Sequence, residues 1–252
     1  MQLFHREVGQ GSPLIILHGL FGSSDNWLTI GKALGEHFKV YMIDQRNHGQ
    51  TENTEEFNYS LMADDLKDFI EEHHISNPVI MGHSMGGKVV MKFILKYPEI
   101  AIKSIVVDIA PRFYPPHHQK ILEGLNEIPV HQLKSRKDAE IILAKHEPQI
   151  GVRQFLLKNL YRSSSGGFDW RINLSVLTEK IENVGEAITS ESQYLSPVLF
   201  IKGEKSNYIL EKDEKDIGTL FPKYQLKTIA NAGHWVHAEQ PSVFIQSVLN
   251  FI

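Results

Sequence analysis

Five short runs of consecutive apolar, β-prone residues frame this chain: residues 14–17 (LIIL), 39–43 (KVYMI), 78–81 (PVIM), 104–108 (SIVVD) and 197–202 (PVLFIK). Their apolar residues are continuous rather than alternating. That is the pattern of strands covered on both faces, as in a mostly parallel sheet. A sixth run, 226–230 (LKTIA), is a strand candidate with weaker patterning. Helical spacing fills the intervals at 25–35, 60–73, 85–97, 209–220 and 241–252. Strands alternating with helices predict a mostly parallel sheet flanked by helices on both faces. At 252 residues and 42% hydrophobic, the chain has enough apolar surface to bury one such core.

The rhythm breaks between Pro111 and about residue 190. Helical patterns occupy 117–127, 131–146 and 152–161, with no convincing strand among them. The interval opens on Pro111-Arg112-Phe113-Tyr114-Pro115-Pro116, a stretch that favours an extended exit from the sheet. Residues 163–167 (SSSGG) read as a flexible loop. Because strand-like segments resume at Pro197 with the same character, the expected organisation is a core domain of residues 1–111 and 191–252. A helical cap insertion of residues 112–190 would interrupt it.

Charge and composition narrow the functional classes. A formal charge of −4 with acids and bases interspersed argues against nucleic acid as a partner, since duplex binding needs a concentrated basic surface. With no cysteine, thiol catalysis, disulfides and Cys-based zinc sites are excluded. No run approaches the roughly 20 apolar residues of a membrane span, and the charged start of the chain lacks the apolar stretch of a signal peptide. The expectation is a cytoplasmic protein, monomer or homodimer, with no membrane partner. No G-x-G-x-x-G, phosphate loop or metal-ligand spacing occurs, so neither cofactor nor metal is expected.

Three elements carry chemistry. Gly82-His83-Ser84-Met85-Gly86 has the G-x-S-x-G pattern, directly after the run PVIM and before a helix with apolar spacing at Val89, Val90, Phe93 and Ile94. A glycine-rich turn whose serine merely caps a helix would match the same letters. The strand-to-helix setting instead points to a nucleophile held on a strained turn at a helix N-terminus, where developing negative charge is favoured. His18-Gly19-Leu20-Phe21-Gly22 follows the run LIIL and is a candidate oxyanion loop. Its Leu20 or Phe21 N–H, with Leu20 favoured, would pair with that of Met85 against a tetrahedral oxyanion. The third element, Gly233-His234-Trp235, precedes the final helix. A serine hydroxyl needs a base within reach, and an imidazole titrating near neutrality suits that task. Among 13 histidines, His234 is singled out by its place after the last strand and downstream of Ser84. The His73-His74 and His117-His118 pairs read as surface or packing residues.

Together these elements resemble the α/β-hydrolase superfamily over nearly the whole chain. Asp44-Gln45-Arg46-Asn47-His48-Gly49-Gln50-Thr51, Val107-Asp108-Ile109-Ala110-Pro111 and Gly233-His234-Trp235-Val236-His237-Ala238-Glu239 resemble one branch of it, the bacterial YbfF-type esterases and their mitochondrial relatives. The resemblance implies the α/β-hydrolase fold and a Ser-His-Asp triad under a helical cap. It also implies hydrolysis of short-chain acyl esters or acyl thioesters through an acyl-enzyme.

The acid that orients His234 is the open point. Many hydrolases of this fold carry it in a G-x-x-D arrangement after the strand preceding the histidine strand. In Gly203-Glu204-Lys205-Ser206 that position holds Ser206. The resembling branch carries its aspartate one strand earlier, which maps onto Asp108, with Ser206 auxiliary and Glu204 or Asp213 as rivals. Asp44 precedes Ser84 and reads as structural, and Arg46, Asn47 and His48 as a hydrogen-bonded loop beneath the nucleophile turn. Phe113, Tyr114, Phe168 and Trp170 of the insertion, together with Trp235, are candidate pocket residues, and the four in the insertion fit packing of the cap onto the core equally well. The same fold also hosts C–C bond hydrolases, lyases and cofactor-free haloperoxidases, and catalytically silent binding proteins. Those alternatives differ from an esterase in substrate or in loss of the nucleophile.

Overall fold

In the computed structural model, which describes residues 1–164 and 166–252, the strands are β1 (His5–Val8), β2 (Pro13–Leu17), β3 (Lys39–Ile43), β4 (Val79–His83), β5 (Lys103–Val107), β6 (Leu160–Arg162), β7 (Phe168–Trp170), β8 (Val198–Gly203) and β9 (Tyr224–Ile229). Seven of them form one sheet in the order β1-β3-β2-β4-β5-β8-β9. Every pairing in it is parallel except β1 with β3. The helices are α1 (Leu28–Leu34), α2 (Tyr59–Glu72), α3 (Met85–Lys96), α4 (Gln119–Glu127), α5 (Arg136–Leu143), α6 (Ile150–Leu157), α7 (Leu174–Glu179), α8 (Ile181–Gly185), α9 (Glu214–Leu220), α10 (Val236–Glu239) and α11 (Pro241–Phe251).

Period-two alternation with both faces covered explains why the central strands read as continuous apolar runs. On one face Ile15, Leu17, Ile43, Ile80, Val106 and Phe200 pack against residues of α2, α3 and α9. On the other, Leu14, Ile16, Met42, Met81, Ile105 and Ile201 pack against Ile30 and Leu34 of α1 and Phe244 and Val248 of α11. Burying both faces leaves few polar positions inside the central strands, of which the buried Ser104 of β5 is one. This topology is the α/β-hydrolase fold expected from the sequence.

Between β5 and β8 the chain leaves the sheet. Its apolar residues there, including Leu125, Leu143, Leu157 and Leu177, belong to the same buried cluster as the α2–α3 face. The interval is not strand-free: β6 and β7 pair as a small antiparallel hairpin, which corrects the all-helical expectation. Each has three residues, too few to show a period. The loop expected at 163–167 spans this hairpin, with Ser163 N–H donating to the Gly167 carbonyl (3.3 Å), while Ser165 lies outside the described residues. β1 is a further strand without an apolar run; its HREV sequence is polar because it is an antiparallel edge strand. Among the described residues, no helix is long and apolar enough to cross a membrane.

Candidate active site

In an open parallel sheet, ligands gather beyond the carboxyl ends of the strands. Every chemical element singled out in the sequence arrives there. The His18–Gly22 loop leaves β2, Ser84 leaves β4, Asp108 leaves β5, Ser206 follows β8 and His234 follows β9.

Ser84 sits between β4 and α3 with φ 52° and ψ −116°, a backbone conformation that L-residues seldom adopt. The flanking glycines make the turn possible. A Cβ on Gly82 would stand 2.2 Å from the Gly86 carbonyl oxygen, and one on Gly86 would stand 2.5 Å from that of Leu17. Ser84 N–H donates to the Val107 carbonyl (2.9 Å), tying the elbow to the end of β5.

Asp108 is fully buried and also has positive φ, 52°. Its Oδ2 accepts from His234 Nδ1 at 2.8 Å and from the Ser206 hydroxyl, while Oδ1 accepts from Gly203 N–H at 3.0 Å. A carboxylate with three donors around it is fixed in position. Ser206 thus stands beside the acid rather than replacing it. The rivals face elsewhere: Glu204 accepts from Asn231 N–H (2.9 Å), and Asp213 pairs with Arg112 (3.1 Å).

The backbone around His234 is held on three sides. Glu239 accepts from Gly233 N–H (2.8 Å) and Trp235 N–H (3.2 Å), and His83 Nε2–H donates to the His234 carbonyl (2.9 Å). The Tyr208 ring stacks on the imidazole at 3.9 Å between centroids. Burial, followed by the Asp108 charge, pushes the Tyr208 phenol up to about 12, so it stays neutral. Ser84 and His234 line one cleft, and no direct hydrogen bond joins them among the described residues. Such contacts are commonly long without substrate and tighten in the Michaelis complex.

Two buried histidines order the His18–Gly22 loop. His48 Nδ1–H donates to the Arg46 carbonyl (2.9 Å), which leaves Nε2 to accept the Phe21 N–H (3.2 Å). His18 Nδ1–H donates to the Gly19 carbonyl (2.8 Å) and Nε2 accepts Gln45 N–H (3.0 Å). Both rings are therefore neutral with one defined tautomer. Burial pushes His18 down to about 4; burial, then His18, pushes His48 down to about 3. Phe21, at φ 59°, spends its N–H on His48. Of the two expected donors, the Leu20 N–H has no partner among the described residues.

Asp44 accepts from Ser24 N–H (2.6 Å) and Gln50 N–H (2.9 Å), and Arg46 makes a two-point pair with Asp65 (2.6 and 2.8 Å). Both hold the loop after β3. The insertion is stitched to that region by asparagines: Asn159 donates to the Phe21 carbonyl (2.8 Å) and Asn173 to Asn47 Oδ1 (3.0 Å).

The cleft over Ser84 has a volume of about 470 Å³ and is walled by Trp27, Ile121, Val152, Phe155, Leu156 and Trp235 among others. A second compartment of about 30 Å³ also touches Ser84 and is walled by Tyr59, Met85, Ile109, Tyr114, Ile181 and Val184 among others. Of the expected pocket aromatics, Trp235 lines the large cleft and Tyr114 the small compartment, while Phe168 is buried in the core cluster. Phe113 is 53% exposed, and Trp170 lies on β7 packed against the buried cluster. Aromatic character in a loop or short strand does not say which way a ring points. The His117-His118 pair, expected to be surface or packing residues, borders both compartments. Tyr208 is a further residue of the site that no motif marks, although it ends the segment that holds Ser206.

The elbow, the buried acid on an imidazole and the oxyanion loop define a serine hydrolase of the α/β class. The chain belongs to the alpha/beta hydrolase fold family, whose model matches residues 12–241. It is 33% identical over 244 residues to "Esterase YbfF" of Escherichia coli (strain K12), covering 96% of this chain and 93% of that protein. It is 36% identical over 252 residues to "sn-1-specific diacylglycerol lipase ABHD11" of Danio rerio, covering 97% of this chain and 79% of that protein. A solved structure described as "Marine microorganism esterase" superposes with a TM-score of 0.97 at 42% identity, over 100% of this chain and 99% of that one.

Proposed function

We propose that this protein hydrolyses esters and thioesters of short acyl groups through an acyl-enzyme on Ser84. His234 moves the proton, Asp108 orients and stabilises the imidazolium, and the Leu20 and Met85 N–H groups hold the oxyanion. The observation that carries the reading is the 2.8 Å contact from His234 Nδ1 to a fully buried Asp108, in the cleft that Ser84 lines. With Nδ1–H donated to the carboxylate, Nε2 is left as the free base in the cleft that Ser84 lines.

The division of the site supports the substrate class. His234 borders the large cleft and not the small compartment. The leaving oxygen or sulfur must take its proton from His234, so the leaving group occupies the large apolar cleft. The acyl chain then points into the compartment beside Met85, whose volume is about 30 Å³. A water needs roughly 10–15 Å³, so this space takes a methyl or ethyl group and not a long chain. The insertion, residues 112–190, acts in this reading as the cap that roofs the cleft.

The test is a series of p-nitrophenyl esters with purified protein. Acetate is expected to exceed octanoate by at least about tenfold in kcat/KM, and Ser84→Ala is expected to abolish turnover while the circular dichroism spectrum is kept. Turnover by Ser84→Ala near that of the parent protein would refute the assignment.

A further inference from the structure

A lysine lies fully buried one helical turn beyond the nucleophile, and the proposed reaction does not use it. Lys88, on α3, is 0% exposed, and no carboxylate lies within 4 Å of its Nζ among the described residues. A buried cation without a counter-charge is costly to keep unless its donors are fully used. Nζ donates to the Arg112 carbonyl (2.7 Å) and to the Glu186 carbonyl, and it lies 5.0 Å above the Tyr114 ring and 5.9 Å from that of Tyr59.

The two carbonyls belong to the two segments that join the insertion to the sheet. These linkers run side by side: Tyr114 N–H donates to the Gly185 carbonyl (2.8 Å) and Ile188 N–H to the Pro111 carbonyl (2.7 Å). The approach is close enough that a Cβ on Gly185 would stand 2.1 Å from the Tyr114 carbonyl oxygen. Between those two rungs, no backbone N–H reaches the carbonyls of Arg112 and Glu186 among the described residues. An apolar side chain at position 88 would leave both carbonyls without a partner, and a buried acceptor left unpaired is costly. The linkers also carry Tyr114, Val184 and Gly185, three walls of the small compartment beside Ser84.

We propose that Lys88 is a positioning residue that clasps the two linkers together and thereby sets the length of acyl group that Ser84 accepts. The acyl part of this inference rests on the assignment of the small compartment proposed above. Around the amine stand the Tyr59 and Tyr114 rings, the Arg112 guanidinium, which is paired with Asp213, and the exposed Glu186 side chain. Burial and then Arg112 push the ammonium down to about 7. A neutral amine retains two N–H groups, so the clasp holds in either protonation state.

Lys88→Met keeps side-chain length and removes the donors. Two measurements follow on the folded variant: hydrogen exchange of the linkers at 111–116 and 184–188, and the kcat/KM ratio of p-nitrophenyl octanoate to acetate. Exchange is expected to quicken at both linkers, and the ratio to rise about tenfold, mainly through a lower KM for the long ester. Unchanged exchange would overturn the clasp. Faster exchange with an unchanged ratio would overturn the positioning role, leaving a structural one. Failure of the compartment assignment shows separately, as a parent protein that does not discriminate acetate from octanoate. Should Lys88→Met not fold, Lys88→Gln, whose shorter amide reaches at most one carbonyl, must move both readouts in the same direction. No movement would refute the proposal.

Discussion

Asp108→Asn is expected to lower kcat on p-nitrophenyl acetate by about four orders of magnitude, the usual scale for loss of a triad acid. The geometry explains why an isosteric change should cost so much. Oδ2 of Asp108 receives the His234 and Ser206 donors, and Oδ1 receives Gly203 N–H. An amide NH₂ in either position meets a donor instead of an acceptor. One orientation turns it against Gly203 N–H. The other turns it against His234 and forces the proton onto Nε2, the wrong tautomer for a base. Ser206→Ala removes one donor to the carboxylate and leaves its charge and its contact with the imidazole. A hydrogen bond to a charged group contributes about 1.5–3 kcal/mol, so a loss of about ten- to a hundredfold is expected there. Steady-state kinetics on both variants, with circular dichroism to establish folding, makes the comparison. Asp108→Asn with near-parental turnover would remove Asp108 from the triad.

Acidification is expected to unfold the protein cooperatively, with a midpoint at about pH 4–5. The cause is a set of buried neutral imidazoles: His18, His48, His83 and His237 are all within 6% of complete burial. Burial pushes His18 down to about 4 and His48 and His237 down to about 3, and holds His83 well below its ordinary value. Each group binds its proton more readily in the unfolded chain, where it titrates near 6.5. The unfolded state therefore carries more protons below that pH. The stability these groups contribute is fully present above about pH 6.5 and is lost as pH falls toward about 4 and below. Every tenfold weakening of proton binding in the folded chain corresponds to about 1.4 kcal/mol, against a total stability of about 5–15 kcal/mol for a domain. Two or three such protonations are enough to unfold the chain. Urea titrations at pH 7, 6 and 5 should give a falling unfolding free energy. A value unchanged between pH 7 and pH 5 would contradict this cause. In the proposed mechanism the same transition has a functional side, because His18 and His48 order the His18–Gly22 loop and His83 holds the His234 carbonyl.

The core of the fold is legible in the sequence because burial on both faces turns each central strand into an uninterrupted apolar run. Leu14–Leu17 and Ser104–Val107 can be read without a partner in view. β1 cannot, since one of its edges faces solvent and its residues are HREV. The small hairpin of the insertion, and the five- and six-residue helices α8 and α7, are too short for periodicity to mark. The site follows the same division. Ser84 and His234 announce themselves through local settings, a strand-to-helix turn between glycines and a loop before the last helix. What decides the rest is contact across the chain. The proposed choice of Leu20 over Phe21 as oxyanion donor turns on His48, 27 positions away from Phe21. The company of Asp108 comes from Gly203 and Ser206, more than ninety positions downstream. Trp235, tied to the His234 loop, reaches the cleft as expected. Phe113 and Trp170 do not, because nothing in their local sequence sets the direction of the ring.

The central claim is a covalent acyl-enzyme on Ser84, and mass spectrometry of the protein quenched in acid during turnover of p-nitrophenyl acetate tests it most directly. The expected result is one acetyl group on the peptide that carries Ser84, absent from Ser84→Ala. The adduct is also expected to accumulate in His234→Gln when an activated ester is used, because deacylation needs the base. Turnover without any acetylated Ser84 peptide in either form, or an acetyl group on another residue that persists in Ser84→Ala, would contradict it.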